Sequence, residues 1–147
     1  MRFILIALLV IPFIVMSRPS LADTTVESTN DFETTLGKLR AAIEASPASI
    51  VSEVDHAKAA SDAGLELDAT TLVIFGNPAA GTQLMQADPS IGVALPMKIL
   101  VIETESGVRL VYDDPADLAS DYDLGDAAPV TQKMSGLVAS LAEAAAN

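Results

Sequence analysis

Three features of the sequence predict an α+β fold: a single compact domain with a mostly antiparallel sheet and helices packed on one face. Residues 97–103 and 108–113 are apolar, β-prone segments joined by Thr104-Glu105-Ser106-Gly107, a hairpin signature in which Gly107 takes a positive φ. Residues 70–75 form a continuous β-branched and aromatic run, the composition of a central strand covered on both faces. Two further segments, Phe32/Leu36/Leu39/Ile43 and Val130/Met134/Leu137/Val138/Leu141, repeat apolar residues at helical spacing. Strands that pair antiparallel, with helices gathered apart from them, define this class.

The elements follow in order. Met1-Arg2 and the apolar run over residues 3–16 precede Ser17-Arg18-Pro19 and the small-x-small site Ser20-Leu21-Ala22, the pattern of a signal peptide cleaved after Ala22. The apolar run is about 14 residues, too short for a membrane-spanning helix, which needs roughly 20. Residues 1–22 are therefore assigned as a leader and residues 23–147 as one domain. A short β-prone segment at 24–28 leads to Asn30, which with Glu33 offers a capping box for the first helix. Ser46-Pro47 ends that helix, because the residue before proline avoids the α region.

Residues 49–56 alternate as a strand, with Ile50, Val54 and His56 expected on the inward side. An Ala-rich helix over 57–63 stops at Gly64. After the 70–75 strand, residues 76–82 read as a loop, with Thr82 capping a short helix over 83–87. Asp88-Pro89 and Leu95-Pro96 bracket another turn or short helix before the hairpin. Asp114-Pro115 reads as an N-cap with proline at the first helical position. A helix over about 130–146 closes the chain, covering either its own domain or a neighbour's.

Charge narrows the partners. The chain of 147 residues carries a net charge of −12, and loss of Arg2 and Arg18 with the leader takes the mature chain to about −14. That field repels phosphate backbones and anionic membrane surfaces, so neither nucleic acid nor, after cleavage, membrane is an expected partner. A periplasmic or secreted location follows from the leader. There is no cysteine, so no disulfide and no lipidation site, and stability must come from a packed core or a subunit interface.

In the middle of the chain, Phe75-Gly76-Asn77-Pro78, Gly81-Thr82, Leu84-Met85, Leu95-Pro96-Met97-Lys98 and Tyr112-Asp113-Asp114-Pro115 occur in that order, with Asp55-His56-Ala57 upstream. This set resembles the domain of unknown function 302 (DUF302) family over about residues 30–124. The resemblance implies a β-α-β(4)-α layout, similar to one TATA-binding-protein repeat, and a homodimer in some members. It implies no common activity. The leader and the strongly acidic balance set this chain apart from relatives that are cytoplasmic.

Few residues can carry chemistry. Gly76 to Thr82 follows a strand and precedes a helix, so N–H groups near Gly81 and Thr82 can form an anion-attracting nest. The same Gly-Asn-Pro is also what a tight turn requires, with glycine at positive φ, an Asn side-chain bond and a fixed proline φ. His56 is the only histidine, either a general acid/base or ligand contact, or a core residue satisfied by a carbonyl. Lys98 either pairs with an anion at the glycine loop or is an ordinary edge-strand charge. Together His56, Gly76, Asn77, Gly81, Thr82 and Lys98 are the expected pocket for a small anionic ligand.

No metal or cofactor is expected, since zinc sites want clustered Cys and His. Thioether binding of a soft metal by Met85, Met97 and Met134 competes with simple core packing of the three. Asp121 to Asp126 fails the calcium-loop template, whose twelfth position is here Gln132. No Gly-x-Ser-x-Gly elbow occurs. The function is thus unassigned, with three readings: an exported ligand-binding or accessory domain; a hydrolase- or isomerase-like enzyme using His56 on a small anionic substrate; or a dimeric interaction module.

Overall fold

The computed structural model describes residues 24–147, so the leader and its cleavage after Ala22 lie outside the described residues. Strands β1 (Thr24–Ser28), β2 (Ser49–Asp55), β3 (Thr70–Gly76), β4 (Met97–Thr104) and β5 (Gly107–Tyr112) form one sheet in the order β1-β5-β4-β3-β2. Every neighbouring pair is antiparallel. The helices are α1 (Phe32–Glu44), α2 (His56–Asp62), α3 (Pro78–Ala87), α4 (Leu118–Asp121) and α5 (Pro129–Ala146). Short 3-10 turns at Pro89–Val93, Pro115–Asp117 and Gly125–Ala127 complete the connections. The α+β class holds, and Gly107 turns the hairpin at φ 131°.

One face of the sheet makes the core. Val73 and Phe75 of β3, Ile99 and Val101 of β4 and Leu110 of β5 are all fully buried. They meet Leu39 and Ile43 from α1 and Val138 and Ala142 from α5, at most 1% exposed. The two helices pack on each other across the sheet. The C-terminal helix therefore covers its own domain. On the opposite face Leu72, Ile74, Leu100, Ile102 and Val111 alternate with the core residues and stay half-buried.

The β1–α1 corner corrects the expected cap. Asp31, not Asn30, is the N-cap of α1, its Oδ1 accepting the Thr34 N–H at 2.8 Å. That bond holds the Asp31 carboxyl below its ordinary pKa. Asn30 instead donates its side-chain N–H to the Ala146 carbonyl at 3.2 Å, and Thr29 N–H donates to the same oxygen at 2.9 Å. The chemistry explains the exchange: an amide N–H can satisfy a helix's last carbonyls, whereas an ionised carboxylate can only accept.

Strand β2 departs from its predicted alternation. Ile50 pairs with Phe75 but Ser52 with Ile74, leaving Val51 as the extra residue of a bulge. A bulge reverses side-chain parity beyond it. Ile50 therefore packs on the core while Val54 turns away and is 37% exposed. Glu53 now lies on the helix side, where Arg40 of α1 donates two hydrogen bonds to it at 2.8 and 2.6 Å. The guanidinium holds the Glu53 carboxyl below the usual carboxylate range.

Candidate functional site

The end of the sheet where β3 finishes is where the chain opens a cavity. The register places Gly76 beside Ser49, and Phe75 beside Met97, so the start of β2, the end of β3 and the start of β4 lie together. Gly76 closes β3 without a positive φ, contrary to the turn geometry expected for it. A Cβ there would stand 3.3 Å from the Pro96 Cβ, so the glycine serves close approach of the Leu95-Pro96 segment.

Helix α3 then begins at once. Asn77 is its N-cap, with Oδ1 accepting the Ala79 N–H at 2.9 Å and the Ala80 N–H at 3.4 Å, and Pro78 takes the first helical position. The predicted loop over 76–82 is therefore mostly helix, and the predicted nest is not formed. Gly81 donates its N–H to the Asn77 carbonyl at 3.0 Å, and Thr82 lies inside α3 instead of capping it. A side-chain cap followed by proline outcompetes an open turn because it satisfies orphan N–H groups and pre-sets φ. Replacing Asn77 by alanine is expected to cost about 1 kcal/mol of stability, the usual loss for such a cap. Urea denaturation measures it; an unchanged midpoint would mean that the cap is energetically idle.

Between α3 and α5 the cavity has a volume of about 680 Å³. This lies within the roughly 300–1,000 Å³ of typical small-molecule sites. Helix α5 contributes Val130, Lys133, Met134 and Leu137, which share one helical stripe. The facing wall holds Gly81, Thr82 and Met85 of α3, and Leu95 and Pro96 close one end. Met85, Met97 and Met134 all line it. Thioether side chains are apolar, polarizable and adaptable, which suits a wall that must accommodate a guest. Lys133 is the only titratable side chain of the lining among the described residues.

Of the six predicted site residues, four are brought together: Gly76, Asn77, Gly81 and Thr82 line this cavity. The other two are elsewhere. His56 is the exposed first residue of α2, not an inward strand residue, because the Val51 bulge and the Asp55 cap end the alternation before it. Asp55 pairs with Thr71, five residues before Gly76. At a rise of about 3.3 Å per residue, His56 sits roughly 17 Å along the sheet from the cavity end.

Lys98 faces a second, smaller cavity of about 300 Å³, shared with Asp113, Asp114, Asp117 and Asp121. Its Nζ donates to the Pro96 carbonyl at 3.2 Å and to the Ala94 carbonyl at 3.5 Å. Carbonyls and carboxylates surround that charge, so it makes no anion site with the glycine segment. Among the described residues no group of three or more His, Cys, Asp or Glu side chains could hold a metal ion.

Sequence reasoning missed the α5 wall, Lys133 above all. The apolar stripe of α5 was legible, but nothing in the local pattern says that its N-terminal half faces α3 and not the sheet. A lysine spaced i+3 from Val130 and i−4 from Leu137 is the one available signal.

Comparison with known proteins agrees with the fold. The family model described as "Domain of unknown function DUF302" matches residues 24–141. The chain is 41% identical over 110 residues to a protein of Brucella suis biovar 1 (strain 1330) named fluoride-specific ion channel FluC 1, covering 74% of this chain and 43% of that protein. The protein of the same name from Brucella abortus biovar 1 (strain 9-941) is also 41% identical, with 41% of its length covered. The chain thus spans less than half the length of these relatives. A crystal structure of an uncharacterized conserved DUF302 protein from Bacillus stearothermophilus superimposes with a TM-score of 0.76 at 13% identity. That superposition covers 84% of this chain and 97% of the other, and it shows the shared fold.

Proposed function

The chain belongs to the DUF302 family, whose function is unknown, and from the geometry of its own cavity we propose a noncatalytic, small-ligand-binding accessory domain. One observation carries the reading: an apolar cavity of about 680 Å³ whose lining, among the described residues, includes a single titratable group, Lys133. Burial of apolar surface supplies affinity there. Acid–base catalysis near neutrality wants a histidine or carboxylate within reach of the substrate, and the described residues of the lining include neither. His56, on which the enzyme reading depended, lies at the other end of the sheet.

The accessory part of the proposal draws on the relatives. In the Brucella proteins more than half of the chain lies outside the match, and each is named an ion channel. No helix among the described residues here is long and apolar enough to cross a membrane. A role beside a membrane transport protein is consistent with both facts. Export to the periplasm or medium belongs to the same proposal and rests on the leader read in residues 1–22.

A second reading, a homodimer, now falls on the outer face of the sheet, since the α5 stripe packs on α1 of the same chain. Leu72, Ile74, Leu100, Ile102 and Val111 form a contiguous apolar surface there. Its neighbouring charges are Glu27, Arg109 and Lys98, with Asp113 and the other aspartates of the smaller cavity beside Lys98.

Native mass spectrometry of the protein purified without refolding separates these readings. A mass above that of the polypeptide, together with saturable binding of the neutral apolar dye Nile red, is the expected result. A bare dimer that leaves the dye dark would overturn the ligand reading in favour of the interaction module.

A further inference from the structure

We propose that the guest of this cavity is an amphiphile: an apolar body held between α3 and α5, with an anionic head on Lys133. The inference rests on the cavity reading and adds the ligand's charge. Lys133 is exposed at the cavity and is the only charged residue of its lining among the described residues. It makes no ion pair among the described residues, where Arg40 pairs with Glu53 and Lys58 with Asp62. Lys38, Lys98 and Arg109 likewise make no ion pair there, and what sets Lys133 apart is its place at an apolar cavity with no carboxylate among the described lining residues.

Helix stability does not account for the lysine. It lies near the N-terminal end of α5, where the macrodipole gives a cation no benefit. Its butyl stem can lie along the apolar wall while the ammonium stays at the water boundary. There it would meet a carboxylate or similar head whose tail is buried against Val130, Met134 and Leu137. Thr82 and Gln83 border the same cavity and can donate further hydrogen bonds to that head. The net charge of −12 disfavours small hydrophilic anions, which bury nothing to offset the repulsion. An apolar tail supplies what the field opposes.

The test is displacement of Nile red from the purified protein by three probes with ten-carbon chains, each kept below its micellar or solubility limit: decanoate, decanol and decyltrimethylammonium. Decanoate is expected to displace the dye best, with an advantage over decanol of about three- to fivefold, the size of a partly exposed ion pair. That advantage should shrink in high salt. Lys133→Met, which keeps the apolar stem, is expected to erase the decanoate advantage and leave decanol within twofold. Lys133→Glu is expected to favour decyltrimethylammonium.

Equal displacement by decanoate and decanol in the parent, or a decanoate advantage that survives Lys133→Met, overturns this inference and leaves the cavity reading standing. Failure of Nile red and all three probes to bind overturns both.

Discussion

Replacing Phe75 by alanine is expected to destabilise the domain by about 3–5 kcal/mol, the range for emptying a fully buried aromatic site. Phe75 is 0% exposed and lies on β3, between β2 and β4, with Ile50 and Met97 as its cross-strand partners. Its ring cannot be replaced by relaxation of one neighbour, because strands flank it on both sides and the helix layer covers it. Typical domains hold only about 5–15 kcal/mol in total, so the loss would take a large share of the stability. The measurement is the urea midpoint at constant m-value, with Ile74→Ala on the half-buried outer face as the comparison. Equal losses at the two positions would show that the outer face is covered in solution, by a second copy or another partner.

Filling the cavity from α3 should have the second large effect. Gly81 has no side chain to occupy the cavity, and a Cβ there would be 3.7 Å from Leu95 Cδ1, an ordinary contact. Its φ is not positive, so a larger residue is not strained. Glycine within a helix costs about 1 kcal/mol relative to alanine, so Gly81→Ala should raise the melting temperature slightly while binding persists. Gly81→Phe should keep the fold and lower Nile red affinity by at least about tenfold, or about 1.4 kcal/mol. Undiminished binding by a well-folded Gly81→Phe variant would place the dye elsewhere, with the apolar outer face of the sheet the first surface to examine. The cavity would then lose its claim as the ligand site.

How far the sequence could be read depended on the range of the interactions involved. The hairpin about Gly107 and the stripe Phe32/Leu36/Leu39/Ile43 appear in the structure as expected. Thr70 to Phe75 is a strand paired on both sides, but its outer face, with Leu72 and Ile74, is only half-buried and not covered as its composition predicted. Asp114 caps a turn with Pro115 at its first position, again as read, through a 2.9 Å bond from the Ala116 N–H. Where two local signals competed, the reading failed. Asn30 and Asp31 can both cap a helix, and only the arrival of Ala146 from the far end of the chain decides between them. Asn77-Pro78 can open a turn or a helix, and the helix prevailed because its orphan N–H groups are satisfied within three residues.

The site was legible in half. The segment from Gly76 to Thr82 could be singled out because Gly, Asn, Pro and Gly in so short a stretch constrain backbone geometry wherever they occur. Its partner could not, because α5 reaches it from about fifty residues further along the chain.

The sequence by itself determined β3, β4, β5 and the apolar stripes of α1 and α5, since those depend on periodicity within a few residues and on the chemistry of each side chain. Tertiary structure alone decided the rest. It set β1 against β5 at one edge of the sheet and β2 at the other. It inserted the Val51 bulge that sent His56 away from the core, and it laid Lys133 and Met134 of α5 across from Gly81. Each of these is settled by which buried surfaces fit together over the whole chain, and no local pattern contains that information.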